Sequence, residues 1–193
     1  MTATAKTRIL LPTPEQAQGP FYPPSKPADQ DNDLTVVKGI KGRAKGQVLY
    51  VTGRVLDTSG KPLAGARLEI WQANAAGRYI HPDDTNPALL DPAFQGYGTC
   101  TADAKGNYRL KTVKPAAYPA MSGWTRPPHV HFMIAAGKRA LTTQMYFPGE
   151  PLNEKDRLYG PTPGHERLLA KLLPPTQGME PNALMAEWDI VLG

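Results

Sequence analysis

The chain is poor in cysteine, since Cys100 is the only one in its 193 residues. A single thiol excludes an intrachain disulfide framework and favours a reducing compartment. No apolar run approaches the roughly 18 residues that a membrane-spanning helix needs. The apolar stretch at residues 9–11 is too short for the core of a secretory signal. We therefore predict a cytoplasmic protein that has no association with membranes.

The chain also lacks the pattern of a nucleic-acid-binding surface. Its net charge is only +5, and its main basic segment, residues 38–46, has no aromatic side chains interleaved with the cations. Platforms for nucleic acids combine clustered cations with such aromatics. We predict no nucleic-acid partner and interpret the segment as a solvated loop.

Proline and glycine, by contrast, are abundant (21 and 18 residues) and scattered along the chain. Between them lie seven or more short alternating segments, with turn signals about every 8 to 12 residues, which predicts an all-β fold of the Ig-like, aligned β-sandwich type with long loops. We predict an irregular N-terminal arm over 1–47 and a β-sandwich domain over 48–193, with one or two short helices. The predicted strands cover 47–57, 62–74, 98–101, 107–113, 129–135, 140–147 and 187–193, and the leucine spacing predicts a helix over 164–173.

The segment RPPHVHF, residues 126–132, carries two histidines one residue apart. Side chains at i and i+2 of a strand point to the same face, so His129 and His131 would present two imidazoles side by side. The two prolines before them have no N–H to donate, so the ladder of hydrogen bonds begins at the histidines. This pattern predicts half of a metal site at the mouth of a strand.

Several ligand types could complete such a site. A chain with one cysteine can provide at most one thiolate ligand. With His81, His165 or carboxylates as the further ligands, the site would suit zinc, copper or ferrous iron. A cupin-like site needs a glutamate four or five positions after the second histidine, where Ala135 and Ala136 stand.

Two tyrosines in turn-forming sequence are further candidates, Tyr79 in NAAGRYIHP and Tyr118 in KPAAYPA. A phenol has a reference pKa near 10, so a phenolate ligand requires a hard, strongly acidic cation, and ferric iron meets that requirement better than zinc or magnesium. An ordinary packing role for each tyrosine stays open on this evidence.

Four segments in order carry a resemblance to a known family: LEIWQANAAGRYIHP, DPAFQGYGTCTADAKGNYRLKTVKPAAYP, RPPHVHF and LTTQMYFPG, together with GPFYP in the arm. They resemble the intradiol ring-cleavage dioxygenases, most of all the β-type chains of the protocatechuate branch. The resemblance implies a β-sandwich and a ferric ion held by two tyrosinates and two histidines. By motif these ligands are Tyr79, Tyr118, His129 and His131.

The resemblance also implies roles for three residues. Arg126 would face the bound aromatic ring, Tyr118 would leave the iron and take up a catechol proton, and Gln144 of the T-Q-x-Y-F motif would lie near the reacting carbon or support the sheet. The implied reaction cleaves a catechol-type ring with O2 between its two hydroxylated carbons, giving a muconate-type diacid.

The short arm favours a protocatechuate-like substrate, because relatives acting on catechol or hydroxyquinol carry a long N-terminal helical segment. Catechol, hydroxyquinol or another substituted catechol remain alternative substrates. The resemblance further implies either a homo-oligomer or a hetero-oligomer with a related chain. A non-catalytic β-sandwich binding module is the alternative of another class.

Overall fold

The structure, a computed structural model, describes residues 9–193. In this part of the chain eleven strands alternate with long loops, and the only helices are two 3-10 turns, Asn153–Lys155 and His165–Leu168. The strands are β1 Val48–Asp57, β2 Arg67–Trp71, β3 Tyr97–Thr101, β4 Asn107–Val113, β5 Tyr118–Met121, β6 Trp124–Arg126, β7 His129–Ala136, β8 Arg139–Tyr146, β9 Lys171–Leu173, β10 Leu184–Glu187 and β11 Ile190–Leu192.

Two sheets contain most of these strands. In the first, β1 is central: β4 pairs antiparallel with it on one side, while β10 and β11 pair parallel with its two halves on the other, and β9 extends the sheet beyond β10. The second sheet has the order β3-β2-β7-β8. The short strands β5 and β6 form a separate hairpin.

The main hydrophobic core draws side chains from both sheets. Strand alternation directs Leu49 and Val51 of β1 and Val130, Phe132 and Ile134 of β7 into it, and all five are fully buried. The two apolar faces bury each other, as two half-buried sheets must. The predicted all-β sandwich is confirmed.

Residues 9–47 contain no strand and no helix, only an isolated bridge at Asp33. They are nevertheless fixed to the sheets, because Gln16 N–H donates to the Thr142 carbonyl at 2.9 Å and Leu34 is fully buried in the main core. Residues 1–8 lie outside the described part. The division into an arm over 1–47 and a catalytic domain over 48–193 stays a prediction.

The helix predicted over 164–173 is wrong. Only His165–Leu168 forms a 3-10 turn, and Lys171–Leu173 is instead strand β9, paired with β10. Leu168 is buried but Leu172 is 39% exposed, so the leucines do not form one buried helical stripe. Pairing with the open edge of β10 provides hydrogen-bond partners for the backbone N–H and C=O groups of Lys171–Leu173, which a helix would otherwise provide.

The closing strand predicted over 187–193 forms only as β11, Ile190–Leu192, and Glu187 belongs to the preceding strand β10. β10 ends at Glu187 and β11 begins at Ile190. Between them the Asp189 carboxylate accepts the Arg54 backbone N–H at 2.8 Å, which breaks the ladder along β1. No helix within residues 9–193 is long and apolar enough to cross a membrane.

Candidate metal centre

Strand register gathers polar and aromatic side chains on the outer face of the second sheet. Because Val130 and Phe132 point into the main core, His129 and His131 of β7 point to the opposite face. Their partners across β8 are Tyr146 and Gln144, respectively. Across β2, His131 is paired with Trp71. These side chains are therefore neighbours by register alone.

The β2–β3 loop carries Tyr79 to this face. Asn74 Oδ1 accepts the Arg78 N–H at 3.0 Å, and the Asp84 carboxylate accepts the Tyr79 N–H at 2.6 Å. At Gly77, with φ +81°, an added Cβ would lie 2.6 Å from the Ala117 carbonyl oxygen. Only glycine permits both that conformation and that close approach.

The β5–β6 hairpin carries the other tyrosine. Tyr118 and Arg126 are paired across the hairpin, and both are almost fully buried. The rings of Tyr118 and Tyr79 meet edge to face with centroids 5.3 Å apart. This hairpin is not among the predicted strands, although Ser122-Gly123 is a recognisable turn signal.

Three donor atoms converge at the centre of the face. The Tyr79 hydroxyl lies 3.4 Å from His129 Nε2 and 3.1 Å from His131 Nε2, and the two Nε2 atoms are 3.2 Å apart. Ligand atoms about 2.0–2.1 Å from one shared ion have mutual spacings of about this size. Tyr118 stands beside them, its ring 5.6 Å from that of His129. This donor set fits a hard cation of ferric type.

Both histidines of the centre are neutral imidazoles, the form in which histidine can bind a metal ion. Burial, the charge of Arg126 and, for His129, the neighbouring His131 hold the pKa of both imidazoles well below the usual value. His129 Nδ1 lies 2.7 Å from the Pro127 carbonyl oxygen, so Nδ1 carries the proton and donates a hydrogen bond to that carbonyl. The Nε2 atom of His129 therefore keeps a lone pair directed at the centre.

The tyrosines are protonated in the absence of a cation. Burial, reinforced by Tyr118, raises the pKa of Tyr79 well above its usual value. Burial also raises the pKa of Tyr118, and the Arg126 charge offsets part of that rise. Phenolate at either position thus requires a strong positive charge between these side chains.

Arg126 is buried beside the centre, with only 3% of its surface exposed. Its Nε donates to Asp156 at 3.0 Å. Its Nη2 donates to Gln144 Oε1 and to the Tyr146 hydroxyl, both at 2.8 Å, and its Nη1 lies 3.0 Å from His129 Nε2. Gln144, also fully buried, holds the arm as well, since its Nε2 donates to the carbonyl of residue 17 at 2.7 Å.

The structure does not bring the other histidines into the centre. His165 packs on Tyr159 with ring centroids 4.6 Å apart, and His81 pairs with Asp83 and packs against Phe21. Within residues 9–193 no group of three His, Cys, Asp or Glu side chains is arranged to hold a metal ion. The zinc or copper alternative therefore lacks a third ligand there.

Three further residues at this site are not among the predicted site residues. Tyr146 follows Gln144 by two positions in β8, so strand alternation could have placed it on the same face. Phe21 of the GPFYP motif covers the centre, with its ring 4.7 Å from that of Tyr79. Asp156 has no local sequence signal, because it reaches Arg126 from a loop 30 residues away.

Comparisons with known proteins agree with this architecture. A family model described as "Dioxygenase" matches residues 17–193. The protocatechuate 3,4-dioxygenase beta chain of Burkholderia cepacia is 43% identical over 96% of this chain and 83% of its own length. The catechol 1,2-dioxygenase of Candida albicans is 34% identical over 73% of this chain, which spans only 49% of that relative.

A solved structure supports the same assignment. The dioxygenase domain of a carbohydrate-binding fusion protein from Streptomyces sp. SirexAA-E superposes with a TM-score of 0.70 at 31% identity, covering 94% of this chain and 97% of that domain. The chain belongs to the intradiol dioxygenase family of ring-cleaving enzymes. The resemblance inferred from the sequence motifs is confirmed, and the binding-module alternative is set aside.

Proposed function

We propose that the chain binds ferric iron through Tyr79, Tyr118, His129 and His131 and cleaves a catechol-type ring between its two hydroxylated carbons. The observation that carries the proposal is the convergence of the Tyr79 hydroxyl and two Nε2 atoms within 3.1–3.4 Å of one another in a buried site. When bound, ferric iron would coordinate both catechol oxygens and make a ring carbon reactive toward O2.

The chain's own residues supply the proton transfer. A catechol must lose two protons to bind through both oxygens, and a buried phenolate is a suitable base because burial raises its affinity for a proton. The Tyr118 phenolate oxygen would take up one of them, and hydroxide from solvent would take up the other. Arg126, its partner across the hairpin, stabilises the phenolate form before that transfer.

Arg126 supplies the fixed positive charge. Buried and bound to Asp156, its guanidinium keeps one edge toward the centre, where negative charge develops on the ring during attack by O2. Gln144 holds the guanidinium from the side, and Phe21 and Trp71 exclude water from the face.

A protocatechuate-like substrate is our first choice. It is supported by the relative at 43% identity, which acts on protocatechuate by its name, and by the share of that relative's length that the chain spans. Catechol and hydroxyquinol are the alternatives, since relatives named for those substrates are 34% and 32% identical.

We also propose that the chain works in an assembly. The same relative is named as a beta chain, so it functions with a chain of another kind. A hetero-oligomer with a related chain is therefore preferred to a homo-oligomer. The molar mass of the purified chain in solution, alone and after co-expression with a related chain, tests this: a monomer in both cases would contradict it.

The function is tested by anaerobic titration of the iron-loaded protein with protocatechuate, catechol and hydroxyquinol, followed by addition of O2. We expect a visible tyrosinate-to-iron absorption band that shifts on binding, and a muconate-type product from the preferred ring. A colourless protein that stays inactive after ferric reconstitution would falsify the proposal. A product cleaved beside the hydroxyls, rather than between them, would contradict the intradiol outcome.

A further inference from the structure

Asp156 is a buried carboxylate in the loop that follows β8. It is 1% exposed and comes directly after the 3-10 turn Asn153–Lys155. Its Oδ1 accepts the backbone N–H groups of Leu158 at 2.7 Å and Tyr159 at 2.9 Å and has a long contact of 3.5 Å to Arg126 Nη2, whereas Oδ2 accepts Arg126 Nε at 3.0 Å. Oδ1 thus makes its short bonds to the loop, and Oδ2 makes the short bond to the arginine.

The guanidinium of Arg126 is held on two of its three nitrogens. Nε is bound to Asp156, and the two protons of Nη2 go to Gln144 and Tyr146. Nη1 is the nitrogen that has no oxygen acceptor among the described residues; its partner is His129 Nε2 at 3.0 Å. That lone pair is the one that His129 would give to a metal ion, and Nη1 would then have donors free for an oxygen of the substrate.

We propose that Asp156 is the positioning residue that holds Arg126 with its Nη1 edge toward the metal centre. The inference rests on the proposed function, and it adds to it a residue that does not touch the substrate. Without the contact to Nε, the arginine is held through Nη2 alone, by Gln144, Tyr146 and the long contact to Asp156 Oδ1, and the guanidinium can turn about that nitrogen. Displacement of a group at the reacting centre by about 1 Å can lower the rate of the reaction about a hundredfold.

The substitution Asp156→Asn separates the two roles of the carboxylate. The amide oxygen can keep both backbone N–H groups, while the amide nitrogen replaces Oδ2 and faces Arg126 Nε, donor against donor. The matched control is Asp103→Asn, because Asp103 Oδ1 likewise accepts two backbone N–H groups, from Lys105 and Asn107 at 2.8 Å, on an exposed turn.

In the iron-loaded protein we expect Asp156→Asn to lower kcat about 10- to 100-fold with KM changed less than about threefold, and to leave the visible band in place. In an Arg126→Ala background the same substitution should have no further effect on kcat, because it acts through the arginine. Asp103→Asn should change neither constant. An effect of Asp156→Asn that is undiminished in the Arg126→Ala background would overturn the proposal.

A second measurement does not depend on turnover. In the purified full chain without added metal, the Arg126 Nε–H proton should exchange with solvent about tenfold faster or more in Asp156→Asn than in wild type or Asp103→Asn. Unchanged exchange overturns the positioning role whether or not the wild-type chain cleaves catechols. Failure of the wild type to bind iron, with exchange accelerated as expected, would count against the proposed function alone.

Discussion

The rings of Trp71 and His131 lie stacked between β2 and β7, with centroids 4.8 Å apart and planes 11° from parallel. His129 is oriented by a bond from its Nδ1 to the Pro127 carbonyl, but His131 Nδ1 has no hydrogen-bond partner in residues 9–193. The indole face therefore takes the place of a hydrogen bond in fixing the His131 imidazole.

Replacing Trp71 should consequently affect both stability and metal binding. We expect Trp71→Ala to lower the free energy of unfolding by about 3–5 kcal/mol and to reduce iron content, because the His131 ring gains freedom to rotate. Trp71→Phe keeps an aromatic face and loses no hydrogen bond seen within the described residues, so it should retain most iron. Urea unfolding and iron per chain measure the two effects; full iron content in Trp71→Ala would contradict this role.

The visible band should depend on two particular tyrosines. Tyr79→Phe and Tyr118→Phe each remove a proposed phenolate ligand and should bleach or shift the tyrosinate-to-iron absorption. The control is Tyr108→Phe, since Tyr108 is equally buried but donates to the Trp188 carbonyl at 2.7 Å in the main core. It should cost about 1 kcal/mol of stability and leave the spectrum unchanged. Equal spectral changes in all three variants would show that the band does not report these ligands.

Arg126 is expected to serve turnover rather than iron binding. Arg126→Ala should keep the visible band and lower kcat about 10²- to 10³-fold. It should also cost about 3–5 kcal/mol of stability, because Asp156 is left as an unpaired buried charge. Arg126→Lys retains the charge, but a single ammonium group cannot reach all the partners of the planar guanidinium. We therefore expect a kcat between those of wild type and Arg126→Ala. Turnover within about threefold of wild type in Arg126→Ala would refute the assigned role.

The sequence predicted the parts of this site that depend on local periodicity. The i, i+2 spacing of His129 and His131 put both imidazoles on one face, and the same rule applies to Gln144 and Tyr146 in β8. The turn-rich surroundings of Tyr79 marked it as a residue at the end of a strand. In each case the backbone conformation of a few neighbouring residues decides where the side chain points.

Contacts between distant segments could not be predicted in the same way. Asp156 meets Arg126 only because the loop after β8 folds back on the hairpin, and nothing in N-E-K-D-R distinguishes it from an exposed turn. The leucines at 168–173 fit a helix locally, but the open edge of β10 captures Lys171–Leu173 as a strand. Long-range pairing outweighed local preference there.

Glu69 links the arm to the second sheet and should make stability depend on pH. Burial alone would raise its pKa, but hydrogen bonds from Lys26, Tyr22 and Tyr97 at 2.6–2.8 Å outweigh that effect and lower it. The folded state therefore binds the proton less readily than the unfolded state. The resulting stabilisation is complete above the ordinary glutamate pKa of about 4.3 and is lost as pH falls through the lower folded-state value.

We accordingly expect Glu69→Gln to cost about 1–2 kcal/mol at neutral pH, with the difference from wild type shrinking below about pH 4. Glu154→Gln, at an exposed residue with no side-chain hydrogen bond among the described residues, is the control and should track wild type at every pH. Urea unfolding across this range measures both. A difference that stays constant with pH would mean that the charge of Glu69 contributes nothing.

Gly77 and Gly123 form a matched pair for testing how the two tyrosine-bearing segments approach each other. Both have positive φ, +81° and +69°, but a Cβ on Gly77 would meet the Ala117 carbonyl oxygen at 2.6 Å and the Tyr118 Cβ at 3.3 Å, whereas a Cβ on Gly123 meets nothing within 4 Å. An alanine at either position costs about 1 kcal/mol for the left-handed backbone. Only at position 77 must the loop also move away from Tyr118.

Gly77→Ala should therefore lose about 1–3 kcal/mol more stability than Gly123→Ala. It should also lower iron content and shift the visible band, since Tyr79 and Tyr118 are pushed apart, while Gly123→Ala keeps both at wild-type values. Unfolding curves, iron per chain and the visible spectrum of the two variants make the comparison. Equal iron content in both would mean that the contact at Gly77 does not set the separation of the ligands, and that the centre tolerates movement of the loop that carries Tyr79.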